Sequence, residues 1–503
     1  MFKILFSLFG LLALNSTAQN LVVQLSTVNN PNEISICIDK NDPQRLLAGA
    51  NIYSIYLSED GGLTWSGNKQ ESPHGVWGDP VIIQDTTGSF YHFHLSKVSN
   101  GNFIDRIVCQ RSDDGGKSFN QGSYFGLNGD KAQDKPWAVV NPANNEIYVT
   151  WTQFDEYDSK DPKDRSNILF SKSTDKGETW SSPIKINSVD GNCIDDDDTV
   201  EGAVPAVGPD GQIYVAWSGP NGLVFNRSFD GGETWENEEI SVADHAGGWN
   251  IDIPGIYRAN GMPVTKCDLS DGPNHGTIYV NWADQRNGID NTDIFLSKSI
   301  DQGQSWSEPI KVNQDTSGNH QFFTWMDIDQ TSGNMWFVYH DRRNHNDTGT
   351  DVYVAVSQDG GLSFTESKIS ESPFYPDPEI FFGDYNNIAA HANVVRPVWT
   401  RLDDKNLSVR TSIVDAYSIL NKSSNTLATS AETNGGLIVE HHLKGRVSIK
   451  VHTLNGEEVL SKTRLKSKKG TFRCPETSKL KSGIYLVEID NGSEKAKGQW
   501  IKR

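Results

Sequence analysis

Short apolar runs of four to six residues, broken by Gly, Asn, Asp and Ser, recur along most of the chain and almost never reach helical length. One set reads Phe-Tyr-His-Phe-His at 90–94, Ile-Tyr-Val-Thr-Trp at 147–151, Ile-Tyr-Val-Ala-Trp at 213–217 and Ile-Tyr-Val-Asn-Trp at 278–282. Met-Trp-Phe-Val-Tyr at 335–339 and Val-Arg-Pro-Val-Trp at 395–399 continue it. Such runs, rich in β-branched and aromatic residues and bounded by turn formers, predict strands buried on both faces. Before each lies another apolar strand and after it a third, so the unit is a four-stranded sheet; runs 34–39 and 45–50 open the first unit. A seventh unit, 384–414, offers only three strands. Its fourth is available at 21–27 (Leu-Val-Val-Gln-Leu-Ser-Thr), which resembles the closing strands at 184–187 and 310–313.

Between third and fourth strands sits an octapeptide, Ser-x-Asp-x-Gly-x-(Thr/Ser)-(Trp/Phe), in six copies starting at Ser58, Ser112, Ser173, Ser228, Ser299 and Ser357. Self-similarity at this period marks a repeat architecture. Within each turn the carboxylate of Asp60, Asp114, Asp175, Asp230, Asp301 or Asp359 is placed to accept backbone N–H groups. Gly supplies positive φ, and the aromatic packs back between strands. These turns are therefore read as structural. The octapeptide is the Asp box, and residues 20–415 resemble the sialidase-type bacterial neuraminidase repeat β-propellers. The fold class expected is all-β: a sialidase-like β-propeller plus a small C-terminal β-sandwich. Seven blades are expected, with the N-terminal strand closing the last, since pairing it there removes two open edges; six is the alternative, and sialidases have six. The resemblance implies a glycoside hydrolase of exo-sialidase type acting on extracellular glycans. Its Phe/Tyr-Arg-Ile/Leu-Pro tetrapeptide is missing here, so no catalytic residue is carried across.

The ends change the picture. Residues 1–18 read as a signal peptide, with Lys3, an apolar stretch at 4–14 and the small residues Ser16, Thr17 and Ala18. No later stretch is apolar enough to span a membrane as a helix. Of the net charge of −20, residues 416–503 carry +8 and residues 1–415 carry −28. An acidic body argues against a nucleic-acid partner and suits Ca²⁺, which takes oxygen ligands. Residues 416–433 read as a polar linker. Beyond them, Leu-Asn-Gly-Glu-Glu-Val-Leu, Lys-Ser-Gly-Ile-Tyr-Leu-Val and a basic tail make 434–503 resemble the C-terminal sorting domain of the type IX secretion system. That resemblance implies passage through the periplasm to the outside or the cell surface, with the secretion machinery as a partner. The chain is expected to act as a monomer. Among five cysteines, Cys193 and Cys267 lie near loops of neighbouring units, and spacing leaves a disulfide between them open.

Candidate chemistry falls on the face opposite the boxes, where the long loops lie. Asp79, Asp134, Glu201 and Asp384 stand near the starts of innermost strands, close to the axis, and Tyr385 follows Asp384. Crowded carboxylates can divide into acid and base, so Asp79, Asp134, Asp384 and Tyr385 are the catalytic candidates. Tyr257 and Tyr385 are the tyrosines that the sialidase resemblance offers as candidate nucleophiles. Offsets from the strand-ending aromatics Trp282, Tyr339 and Trp399 place Asp284 with Arg286, Asp341 with Arg343, and Arg401 with Asp403. Three guanidiniums at one rim suit a carboxylate or sulfate; ion pairs between neighbouring loops are the alternative. Asp195, Asp196, Asp197 and Asp198 with Glu201 are the candidate metal ligands, a solvated acidic face being the alternative. Besides the hydrolase, two readings stay open: a non-catalytic propeller binding a glycan or protein, and a polysaccharide lyase relying on His94 and Tyr385.

Overall fold

Each apolar run becomes a strand sandwiched between neighbouring sheets, which is why second strands such as Phe90–Leu95, Ile147–Phe154, Ile213–Gly219 and Ile278–Asp284 are buried at every position. The computed structural model describes residues 20–98, 102–420, 427–432, 435–466 and 470–502. The signal-peptide reading, on residues 1–18, lies outside them, as do 421–426 of the segment read as a linker.

Ile34–Ile38, Leu46–Ala50, Ser54–Ser58 and Ser66–Lys69 pair in that order into a four-stranded antiparallel sheet. Five more sheets repeat the pattern, with innermost strands Val81–Gln84, Ala132–Val140, Glu201–Val207, Val264–Cys267 and Gln321–Asp329. The seventh is Asn387–His391, Val394–Asp403 and Asn406–Ile413, and its outer strand is Leu21–Ser26, which pairs Leu21 with Ile413 and Val23 with Thr411. Successive innermost strands touch all the way round, the seventh returning to the first. These sheets are arranged like the blades of a propeller closed by strand exchange between the chain's two ends.

The six Asp boxes share one geometry. Ser228 Oγ donates to Asp230 Oδ1 at 2.8 Å and accepts Gly232 N; Asp230 in turn accepts Thr234 N at 2.9 Å and Thr234 Oγ1 at 2.6 Å. The second glycine is required by more than its φ of +86°: a Cβ on Gly232 would lie 2.2 Å from the Phe170 ring of the preceding sheet, and Gly303 meets Phe225 in the same way. Each box therefore locks two sheets together.

A different irregularity recurs at the opposite end. Five innermost strands have, just before or within their first four residues, a residue in the left-handed region: Glu33 (45°), Asp79 (48°), Lys135 (46°), Gly202 (75°) and Phe323 (51°). The register slips at Asp134/Trp137, Glu201/Val204 and Phe322/Trp325. These are β-bulges, which re-aim side chains at a sheet end. Holding a non-glycine residue there costs about 1–3 kcal/mol.

Beyond the ring, two sheets share a core containing Leu437, Val439, Ile449, Val487 and Trp500. Strand Ala428–Ala431, within the segment read as linker, belongs to the smaller of them. This unit meets the box end of the first sheet, where Gln44 Nε2 donates to Ile484 O at 3.2 Å and Ile484 packs near Gly61. Cys193 and Cys267 are both free thiols. The pairing left open by their spacing is not formed, because Cys193 sits in the loop bridged to Ser159 while Cys267 ends an innermost strand at the other end of the ring. Among the described residues no helix is long and apolar enough to cross a membrane.

Candidate axial carboxylate site

The bulges bring one residue or more from most sheets to a common point on the axis. Glu33, Asp79, Asp134, Lys135, Glu201 and Asp384 are all buried there. Segment 241–262, on the face opposite the boxes, covers the cluster. It folds on a small hairpin, Asn250–Ile251 with Ala259–Asn260, and buries Trp249, Ile251, Ile253 and Ile256. From this cap Arg258 reaches in: Nε donates to Asp384 Oδ1 at 2.9 Å, a terminal nitrogen pairs with Asp384 Oδ2, and the other donates to Asp195 Oδ2 at 2.7 Å. Lys135 Nζ donates to Asp384 Oδ2 at 2.9 Å.

Two cations, the buried Lys135 and the partly exposed Arg258, therefore converge on Asp384, and the remaining acids share what positive charge is left. Burial alone would raise the Asp384 pKa, but Arg258 and Lys135 outweigh it and hold the carboxyl well below the usual range. Burial, with Asp79 close by, pushes Asp134 up to about 8, although Lys135 pulls the other way. Burial and the charge of Glu33 take Asp79 to about 7, and burial and Asp384 take Glu33 to about 7. Asp134 and Asp79 hydrogen-bond to each other, and the backbone N of Lys135 donates to both, at 2.9 and 3.2 Å. Two carboxyl groups in such contact do not both ionise readily, so at neutral pH the pair holds a proton. Glu201 is fully buried, has no hydrogen-bond partner on either oxygen, and lies 4.0 Å from Lys135 Nζ; burial and Asp195 raise its pKa well above the ordinary value. One cluster thus contains a firmly ionised carboxylate beside protonated ones, the division that acid–base chemistry needs.

Of the sequence candidates, Asp79, Asp134, Glu201, Asp384 and Tyr385 come together here. Tyr385 is buried, with its hydroxyl 3.4 Å from Asp79 Oδ1 and its ring against Trp137, so it supports the acids from beneath. Tyr257 stays exposed on the cap, edge-on to Phe381. Asp195 joins the cluster through Arg258, Tyr157 and Trp249. Asp196 and Asp197 hold the loop by accepting Asn192 Nδ2 and Asn250 N, and the Asp198 carbonyl accepts Asn192 N. Among the described residues no three His, Cys, Asp or Glu side chains stand where they could hold one metal ion. Lys135 and Arg258 bring positive charge close to Glu201 and Asp195.

The arginine rim is placed differently. Arg286 Nε contacts both oxygens of Asp284 at 2.9 Å, and Asp284 also accepts Trp282 Nε1 at 2.8 Å. Arg343 is held by Asp341 at 2.6 Å and Glu366 at 2.7 Å, and Arg401 by Asp403 at 2.7 Å and the Ser372 carbonyl at 2.8 Å. Trp282 and Trp399 are fully buried. These arginines bind carboxylates of their own sheets, not of neighbouring loops. His94 is buried with Nδ1 2.8 Å from Leu95 O, and burial lowers its pKa to about 4.

Sequence reasoning missed Glu33, Lys135 and Arg258. A signal existed for Lys135: Lys135-Pro136 occupies the place of Asp79-Pro80 before an innermost strand. Arg258 gave none, since it lies in a segment without strand pattern.

Residues 433–503 match the secretion system C-terminal sorting domain. The chain is thus one that a secretion system exports to the outside or the cell surface. No curated protein matches its sequence. Solved structures similar to it include a Hadza microbial sialidase, at 14% identity and a TM-score of 0.40 over 73% of this chain and 72% of that one. Another is an α-L-arabinanase from Penicillium chrysogenum, at 15% identity and 0.43 over 67% and 97%. A third, a Dyadobacter fermentans protein of unknown function, gives 11% identity and 0.43 over 78% and 97%.

Proposed function

We propose that this is a secreted carbohydrate-active propeller, a glycoside hydrolase whose reaction centre is the axial cluster. The observation that carries the reading is the arrangement of buried carboxyl groups around Lys135, with Asp384 paired to Lys135 and Arg258 while Asp134 lies against Asp79. Glycoside hydrolysis asks for one carboxylic acid to protonate the leaving oxygen and one carboxylate to attack or to activate water. Asp134, paired with Asp79, is the acid; Asp384, fixed by Arg258 and Lys135, is the anion. Arg258, whose side chain is 30% exposed, is the most exposed member of the cluster and marks the side from which substrate approaches. The rim of Asp284, Arg286, Asp341, Arg343 and Arg401 stands as the sugar-binding shell around that entrance, and a cation at Asp195–Asp198 would belong to the cap.

The full secreted chain, assayed on neutral and anionic glycans for released reducing ends, should show hydrolysis that Asp134→Asn and Asp384→Asn each reduce at least about 100-fold. Hydrolysis at the wild-type rate in both folded variants would overturn the site. The burial of Asp384 and Glu201, at 1% and 0% exposure, favours a second reading, a non-catalytic propeller that binds glycan through its loops. Saturable glycan binding without product, unchanged in Asp384→Asn, would establish it. Unsaturated products absorbing in the ultraviolet would point to a lyase instead.

A further inference from the structure

The axis holds a second feature, at the end of the ring opposite the carboxylates. The innermost strands diverge below Trp137, Trp325 and Tyr385 and enclose a cavity of about 440 Å³ that opens among their turns on the Asp-box face. The two indoles pack at a 42° tilt with centroids 4.3 Å apart and form its floor, separating it from the acids above. Its walls are apolar: Ile36, Ile82, Val139, Val204, Ala206 and Ile388. The size falls within the range of small-molecule sites, which combine such walls with a few placed polar groups.

The unpartnered polar groups here are all donors. Gln84 is buried, and its Oε1 accepts Lys40 N at 2.9 Å, which fixes the amide and leaves Nε2 without a partner. Trp137 Nε1 is likewise buried and unpartnered. Among the described residues lining the cavity, these are the buried side-chain polar atoms that lack partners, and both are donors. At the mouth, Lys266 is matched by Asp327 at 3.0 Å, whereas Lys40 makes no ion pair among the described residues. An unpaired buried donor carries a desolvation cost that an incoming acceptor removes, and a nearby ammonium favours an anionic acceptor.

We infer that this cavity binds a small amphiphilic carboxylate, with its carboxylate at the mouth beside Gln84 Nε2 and Lys40 and its apolar body along the strand walls toward the indole floor. The site is independent of the glycan-cleaving reading, because no group assigned to that chemistry lies in it.

The test uses the full secreted chain with sodium decanoate, followed by calorimetry and by ligand-observed NMR, and 1-decanol as the neutral counterpart. Decanoate should bind saturably at one site. Gln84→Glu, which sets a carboxylate against the ligand, should weaken binding at least about tenfold, and Lys40→Ala about three- to tenfold. The alcohol should bind at least about fivefold more weakly than the acid. Melting curves confirm that the variants are folded; Lys40 is exposed, so its variant keeps the test decisive if Gln84→Glu is damaged. Absence of saturable decanoate binding, equal affinity for acid and alcohol, or affinity unchanged in the folded variants would each overturn the assignment.

Discussion

The same residue type does opposite work at the two ends of this ring. In the boxes, Asp230 and Asp301 sit at the surface among hydroxyl and backbone donors, chiefly those of Thr234 and Ser305, which lower their pKa values to about 2. On the axis, Asp79 and Asp134 are buried beside other acids and rise to about 7 and about 8. A box carboxylate has local donors within four residues, so its ionised form is satisfied and chemically quiet. An axial carboxylate shares two cations, Lys135 and Arg258, with five others, so protons make up the balance. The contrast teaches where to look for chemistry in this repeat fold: at the carboxylates whose donors are too few, since groups matched to proton transfer must change charge near neutral pH.

The comparison breaks most sharply at Asp384. Asp384→Ala leaves Lys135 and Arg258 near each other, largely buried and without their shared anion. Removing one partner of a buried ion pair costs about 3–5 kcal/mol, so urea denaturation should show a loss of that size; a loss under about 1 kcal/mol would mean that the cluster is wetter and looser than described. The second effect is a pH dependence. Between about pH 4 and pH 8 the folded chain keeps protons on Asp79, Asp134 and Glu33 that the unfolded chain has released, so stability falls as pH rises across that window. Asp134→Asn should flatten this slope and gain on the order of 1–3 kcal/mol relative to wild type at pH 8. A melting temperature that rises from pH 5 to pH 8 would reverse the assignment of the proton.

The boxes were legible in the sequence because each is complete within eight residues: the Ser, Asp, Gly and Thr that bond to one another are also neighbours in the chain. Ring closure was legible for a related reason, an unmatched strand pattern at 21–27 and an unfilled place after 414. The axial site was half legible. Asp79, Asp134, Glu201 and Asp384 stood out as acids at strand starts, but their partners come from distant segments, and the bulges that turn them inward depend on left-handed backbone at Glu33, Asp79 and Lys135, which composition does not announce. The arginine offsets in the fifth to seventh sheets were real, yet the same spacing of two residues that suggested a ligand clamp also puts Arg286 on Asp284 and Arg343 on Asp341.

At the box end the expected effects are smaller. Asp230→Ala removes the acceptor for Ser228 Oγ, Thr234 N and Thr234 Oγ1, but all three donors are near water and can be solvated. The loss should be about 1–2 kcal/mol, with glycan turnover unchanged. Because Asp230 is ionised in the fold down to about pH 2, its contribution is present above the unfolded value near 4 and fades as pH falls toward 2. A variant that loses turnover in proportion to axial variants would show that the two ends are coupled through the strands.

The smallest effect expected belongs to a third kind of carboxylate, Asp403 at the rim. It is half-exposed and receives Arg401 at 2.7 Å and Arg410 at 3.5 Å, while Arg401 keeps independent bonds to the carbonyl and hydroxyl of Ser372. Asp403→Ala therefore strands no buried charge, and an exposed pair of this kind contributes roughly 0.2–1 kcal/mol. Added salt should erase most of that difference in a melting experiment, whereas it should leave the Asp384→Ala deficit largely intact, because buried pairs are screened far less. The same variant separates rim from axis in function. It frees the Arg401 guanidinium for an anionic sugar, so unchanged affinity for sulfated and carboxylated glycans would assign the rim arginines to holding their own sheets. A severalfold gain or loss would place them in contact with ligand.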